Sequence, residues 1–348
     1  MTSRIPLYAV EQVPVLQNRV FATAAEARGC VRGDVRLVQD ATTGLVFNEA
    51  FDATLVEYDR HYNNEQGLSP AFARHLDDVA RIVRELLGTT NLLEIGCGKA
   101  AFLERLASLG CRIEGCDPTY EGPNPDIVRE FYGRDLGYRE KNIILRHVLE
   151  HIPDPVEFLR MVADANGAGR IYIEVPCLDW ILAHRAWFDI FYEHVNYFRL
   201  TDLERMFGEV HASGRIFGGQ YLYVVAELAT VRAPQAASGP LAFPPDFLAT
   251  LAGPRLSPDD VIWGAASKGV IYALLRERLG CPAAAAVDVN PAKQGMHLPG
   301  TGIEILSPED CLARIPPERR ICVMNSNYLD EIREMTTHRY TYEAIDDA

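Results

Sequence analysis

The sequence predicts an α/β protein: a Rossmann-like, mostly parallel sheet wrapped by helices, followed by a second, smaller Rossmann-like α/β unit. Three observations carry this. Strand and helix patterns alternate through "NLLEIGCG", "AAFLERLASLG", "RIEGCDP", "KNIILRHVLEHI", "PVEFLRMVADA" and "RIYIEVP". A second strand–loop–helix pattern, "DDVIWGAASKGVIYALLRERLG", opens the C-terminal part. Between the two, Pro and Ala dominate "TVRAPQAASGPLAFPPDF", Thr230 to Phe247, which is the composition of a connection. The expected divisions are an N-terminal extension over 1–68, a central unit over 69–229 and a C-terminal unit over 241–348. A chain of 348 residues is long enough for that many.

In chain order, the first 60 or so residues are mixed. "RGDVRLVQDATTGLVFNEAFD" reads as two short strands joined by a turn at Thr42–Gly44. "SPAFARHLDDVARIVRELLG" reads as a helix, with Ser69 and Pro70 as its start and Gly88 as its stop. Its apolar residues Phe72, Leu76, Val79, Ile82, Val83 and Leu86 fall on one face. After the alternating core, Pro176 to about Leu200 is rich in aromatics. "TDLERMFG" is a capped helix, "YLYVVAEL" a strand, and "RRICVMNSNY" a buried strand of the C-terminal unit.

Composition excludes several functions. Lys and Arg number 34 and Asp and Glu 48, a formal charge of −14, so a phosphate backbone or anionic membrane is an unfavourable partner. The eight cysteines form no C-x-x-C pair, which argues against a zinc ribbon or a thioredoxin-type site, and no metal is expected. No apolar run reaches membrane-spanning length and the N-terminus lacks a long apolar segment; a cytoplasmic location is expected. Oligomeric state is not legible.

The stretch "LLEIGCGKAAFLERLASLGCRIEGCDP" carries the first chemistry. Gly96 and Gly98 permit close backbone approach to a ligand, and the following helix N-terminus offers free N–H groups. Asp117 closes the next strand, where a carboxylate can accept ribose hydroxyls. Glu94 before the glycines would repel a pyrophosphate but suits a cationic ligand such as a sulfonium or ammonium. The alternative is a tight strand–helix turn with no ligand.

"LLEIGCGKAAFL", "GCDP" and "RHVLEHIPDPVEFL" resemble the motifs of class I S-adenosylmethionine-dependent methyltransferases. The resemblance implies S-adenosyl-L-methionine as cofactor. It places Glu94, Gly96 and Gly98 along the methionine moiety, Asp117 and Pro118 at the ribose, and His147 nearby. Tyr62 and Gln66 resemble positions that help close the pocket. A capping or packing role is the alternative for His147, and the favoured one for His151. "YEHVNYF" and "NPAKQG…PGT" further resemble the C-methyltransferases of deoxysugar biosynthesis, which methylate nucleotide-linked keto sugars. Relatives begin with a zinc module of C-x-x-C pairs; here Asp40 and Thr43 stand where the last pair would fall, so the module is degenerate. The chain also has Phe191 where the family string has Tyr.

Carbon methylation needs an enolate or carbanion, hence a base, and imidazole is best matched to that task near neutral pH. "YEHVNYF" supplies His194 as base, Glu193 to orient it and Tyr192 as a hydroxyl donor, with Asn196 and Tyr197 beside them for the substrate. Neighbours on a regular strand would point apart, so a loop or helix end is required. The alternative is an aromatic segment packing between domains. Lys268, at the start of a helix in "GAASKG", could meet a substrate phosphate, or be a surface lysine. The rival functions are an O- or N-methyltransferase, a nicotinamide-dependent oxidoreductase using the second glycine unit, and a non-catalytic nucleoside-binding protein.

Overall fold

The computed structural model describes residues 4–57, 69–235, 240–251 and 256–347; Tyr62 and Gln66 lie outside the described residues. Three sheets build the chain. The first contains β1 (Arg4–Pro14), β2 (Arg32–Asp40) and β3 (Val46–Asn48), all antiparallel. The second contains β4 (Leu92–Ile95), β5 (Ile113–Cys116), β6 (Ile127–Val128), β7 (Asn142–Arg146) and β8 (Arg170–Pro176). β9 (Asn196–Tyr197) returns to pair with β3, while β10 (Val210–Ile216) and β11 (Tyr221–Glu227) complete the second sheet. The third is all parallel: β12 (Val261–Trp263), β13 (Ala285–Val287), β14 (Ile305–Leu306), β15 (Arg320–Val323) and β16 (Thr341–Ala344).

β1 went unread in the sequence for a physical reason. Pro6 interrupts it, its register shifts at Pro6/Tyr8 and Val10/Val13, and Gln12 has φ +52°. Such irregularity is tolerated because β1 is an edge strand. The β2–β3 turn is closed by the Asp40 carboxylate, which accepts the N–H groups of Thr42 (2.9 Å) and Thr43 (2.7 Å). Hydrogen bonds thus tie the turn at the place where relatives' last cysteine pair would fall. All eight cysteines are free.

The helix Pro70–Leu86 forms as read. Ser69 caps it, accepting the N–H groups of Ala71 and Phe72, and Phe72, Leu76, Val79, Ile82 and Val83 are buried on its inner face. Leu86 is only half-buried.

The central sheet runs β10-β11-β8-β7-β4-β5-β6; β11 is antiparallel to both β10 and β8, and the pairs from β8 to β6 are parallel. The C-terminal sheet runs β14-β13-β12-β15-β16. In each, strand order reverses beside the first strand: between β4 and β7, and between β12 and β15. Ligands of such sheets bind outside the carboxyl ends of the strands at that reversal.

Packing brings the two sheets together. Trp187 and Phe188 of the aromatic segment are fully buried, and Trp187 stacks on Tyr272 of the helix Ser267–Arg278 with centroids 5.6 Å apart. These aromatics therefore do the interdomain packing that was the alternative reading of the segment. Ser69 donates to Glu331 of the C-terminal unit (2.7 Å), so the head of the first long helix is tied to it as well. Among the described residues, no helix is long and apolar enough to cross a membrane.

Candidate active site

The glycine loop leaves β4 and enters the helix Ala101–Ser108 through Gly96 (φ +72°), Gly98 (φ +54°) and Ala100 (φ +66°). A Cβ on Gly96 would sit 2.4 Å from Val148 Cγ2, so glycine is required there both for φ and for space. Beside Gly98 there is open space. The helix has no side-chain cap, which leaves its first N–H groups for a ligand. Asp117 is buried and holds the loop: Oδ2 accepts Gly98 N–H (2.8 Å), and Oδ1 accepts the N–H and hydroxyl of Thr119 (both 2.7 Å). A carboxylate has about four acceptor positions, so capacity for a ligand hydroxyl remains.

Glu94 is 3% exposed, and its Oε2 has no hydrogen-bond partner among the described residues. Burial pushes its carboxyl up to about 8, against the pull of Arg146. A buried acid with one oxygen unpartnered beside a glycine cradle is the complement of a cationic ligand.

At the adjacent strand tip, His147 has φ +52° and lies between two carboxylates, Nδ1 3.3 Å from Glu150 and Nε2 3.1 Å from Glu174. Burial alone would lower its pKa; the hydrogen bonds to Glu150 and Glu174 outweigh burial and hold it up to about 9. Glu174 is fully buried and also accepts from His75 (2.9 Å), Tyr172 (2.8 Å) and Arg146.

A cavity of about 220 Å³ opens where the two strand-order reversals face one another. His147, Glu150, His151, Glu193 and His194 line it from the central unit. Gly264, Lys268, Asp288 and Met324 line it from the C-terminal unit, and Asn18 from the N-terminal module. The "YEHVNYF" segment is a loop running into β9, as its chemistry requires. Backbone and side-chain bonds stitch it down: Val195 N–H to the Glu150 carbonyl (2.8 Å), and the His151 Nδ1–H to the Glu193 carbonyl (2.8 Å). His194 is 8% exposed, with Nδ1 unpartnered among the described residues, its ring 4.0 Å from Phe191 and 4.9 Å from His151. Burial, then the neighbouring His151, His147 and Lys268, drives its pKa well below the usual imidazole value. It is therefore neutral and holds a lone pair at neutral pH. Glu193 Oε2 accepts the Gln17 N–H (3.0 Å), so this carboxylate ties the loop to the N-terminal module.

Three residues expected at the substrate sit elsewhere. The Tyr192 hydroxyl accepts the Asp52 N–H (2.8 Å) and its ring packs against Gly33, away from the cavity. The Tyr197 hydroxyl accepts Phe191 N–H (2.9 Å) and donates to the Phe191 carbonyl (3.0 Å). Asn196 Nδ2–H donates to the Ile152 carbonyl (2.6 Å). All three hold the loop: Tyr192 ties it to Asp52, Asn196 to Ile152, and Tyr197 closes it on Phe191. Lys268 is in the cavity wall rather than on the surface, paired with Asp189 (3.0 Å) and donating to Gln220 (3.1 Å). His151, read as a packing residue, lines the cavity. Its sequence signal was the dipeptide Glu150-His151, and only the fold places it against His194. Asn18, Asp189 and Met324 had no sequence signal.

In the second glycine unit, a Cβ on Gly269 would lie 1.9 Å from the Gly264 carbonyl oxygen, so helix and turn pack as in a nucleotide fold. Asp288 there accepts the N–H of Ala265 (3.0 Å).

The family model described as "Methyltransferase domain" matches residues 60–210. Over that stretch the chain matches a methyltransferase domain. Its glycine loop, its sheet with one antiparallel strand and the cavity-lining "YEH" loop all fall within or beside that match. A curated relative, the C-methyltransferase NovU of Streptomyces niveus, is 26% identical over 164 residues, 42% of this chain and 39% of that protein. The chain therefore matches about two fifths of that relative's length.

Among solved structures, the methyltransferase domain is similar to the 1,6-didemethyltoxoflavin-N1-methyltransferase of Burkholderia thailandensis with bound S-adenosylhomocysteine. Identity is 17%, coverage 44% of this chain and 77% of that one, and the TM-score 0.34. It is also similar to the magnesium protoporphyrin IX methyltransferase of Synechocystis PCC 6803 with bound SAM, at 15% identity, 48% and 86% coverage and a TM-score of 0.34.

Proposed function

We propose that the protein is an S-adenosylmethionine-dependent methyltransferase that methylates carbon in a small keto substrate, such as a nucleotide-linked deoxysugar, after removal of an α-proton. The observation that carries this reading is His194: a buried, neutral imidazole on the wall of a cavity whose other wall is a second Rossmann-like unit. Glu94, the Gly96–Gly98 loop and Asp117 are the residues that would hold the cofactor, which supplies an electrophilic methyl group when bound. His194 takes the acceptor's proton, and Phe191 and His151 keep water from its ring. Lys268, at a helix N-terminus, meets an anionic part of the acceptor by exchanging its contact with Asp189. Incubation with keto-sugar nucleotides and isotope-labelled cofactor, with carbon-13 NMR of the product, tests this. A new methyl on oxygen or nitrogen would replace the carbon reading.

Two binding predictions follow from the cofactor loop. Asp117→Ala should weaken S-adenosylhomocysteine binding by about 1.5–3 kcal/mol, the usual value of hydrogen bonds to a charged group. Unchanged affinity by calorimetry would remove Asp117 from the site. Glu94 predicts a pH dependence. Its folded-state carboxyl, at about 8, lies above the ordinary value, so the unliganded fold takes up a proton and loses stability as pH rises from about 4.5 to about 8. A cationic ligand favours the carboxylate, so binding must release that proton below about 8. Affinity should therefore rise with pH up to about 8, by at most about tenfold per pH unit. Glu94→Gln should flatten the profile; an equally steep slope in that variant would assign the dependence elsewhere.

A further inference from the structure

The geometry points to a divalent transition-metal site formed by Glu150, His151 and His194 on the cavity wall. One ligand atom from each lies within 4.8 Å of the other two. Ligands about 2.1 Å from one ion are separated by about 3–4 Å, so small side-chain rotations close the set. The polar atoms are already prepared for a cation. Glu150 is 1% exposed with Oε2 unpartnered among the described residues, and His194 is 8% exposed with Nδ1 likewise unpartnered. Both residues line the cavity.

The outer contacts are those of metal ligands. A carbonyl can only accept, so the His151 bond to the Glu193 carbonyl (2.8 Å) puts the proton on Nδ1 and leaves Nε2 with its lone pair. The His147 ring holds the other oxygen of Glu150 (3.3 Å) and so orients its carboxylate. Two imidazoles and one carboxylate, open to a cavity, suit a first-row divalent ion with free positions for a substrate oxygen. No metal is expected from the sequence because the ligands come from two distant segments that meet only when the "YEH" loop docks.

This goes beyond the proposed methyl transfer and bears on it in one way. A lone pair on His194 given to a cation cannot accept a proton, so base action and metal occupancy exclude one another at that nitrogen.

The test is Co²⁺ titration of the full chain after chelator treatment, read by visible absorption and by equilibrium dialysis. The expected result is one-to-one binding with ligand-field bands. His151→Ala and Glu150→Gln should weaken it by at least about tenfold while near-ultraviolet circular dichroism stays unchanged. His211→Ala is the control, because Glu209, His211 and Glu227 form an exposed cluster of similar composition. Absence of saturable binding in the folded chain overturns the proposal, as does binding lost in His211→Ala instead. The readout needs neither turnover nor an acceptor, so failure of the proposed methylation leaves it standing, and the reverse.

Discussion

Methyl transfer by a His194→Ala variant is expected to fall by roughly a hundredfold or more, the range for loss of a general base. The reason is positional as well as chemical. His194 is the imidazole whose burial and cationic neighbours keep it neutral, and it faces the cavity from a loop fixed at several backbone points. Cofactor affinity should barely change, because Asp117 makes its hydrogen bonds to Gly98 and Thr119 at a neighbouring strand tip, and among the described residues none of these reaches His194. Glu193→Gln should lose less, since an amide oxygen can still accept the Gln17 N–H that Glu193 Oε2 now accepts. Single-turnover transfer from labelled cofactor measures both. Near-normal rates in His194→Ala would pass the base role to His151, its ring neighbour in the wall.

The second large effect is on stability. Glu174→Ala is expected to lower the unfolding free energy by about 3–5 kcal/mol, because it leaves buried charge without its counter-charge. Glu174 is fully buried at the centre of Arg146, His147, His75 and Tyr172, and the Arg146 side chain is 9% exposed. Burial alone would raise the Glu174 carboxyl, but Arg146, His147 and His75 hold it well below the usual range. A depressed carboxyl contributes stability above its unfolded value and loses it as pH falls through the folded one. Wild-type protein should therefore be destabilised in acid, and Glu174→Ala should show a smaller acid dependence. Urea unfolding at neutral and acid pH measures it; a loss under about 1 kcal/mol would mean that water or a rearranged Arg146 replaces the carboxylate.

The sequence by itself determined much of the protein. Hydrophobic period and glycine placement are local, so the alternating core, the capped helix Pro70–Leu86 and the β2–β3 hairpin were legible before any fold was known. The geometry of the glycine loop was legible for the same reason: Glu94, Gly96, Gly98 and Asp117 need only one strand–turn–helix and the next strand tip. The acceptor side depended on tertiary structure. Tyr192, Asn196 and Tyr197 had the right chemistry and proximity in sequence, yet long-range bonds to Asp52 and Ile152 and the Tyr197 bonds to Phe191 make them braces. His151 had weak local signal and became a wall of the cavity because the Glu193 carbonyl and the His194 ring arrive beside it. Asn18, Asp189 and Met324 join that wall from three sheets' worth of chain. Local pattern fixes an element and what one turn can hold. Which side chains share a cavity depends on how sheets dock, and that is settled by long-range packing such as Trp187 on Tyr272, which no short stretch of sequence encodes.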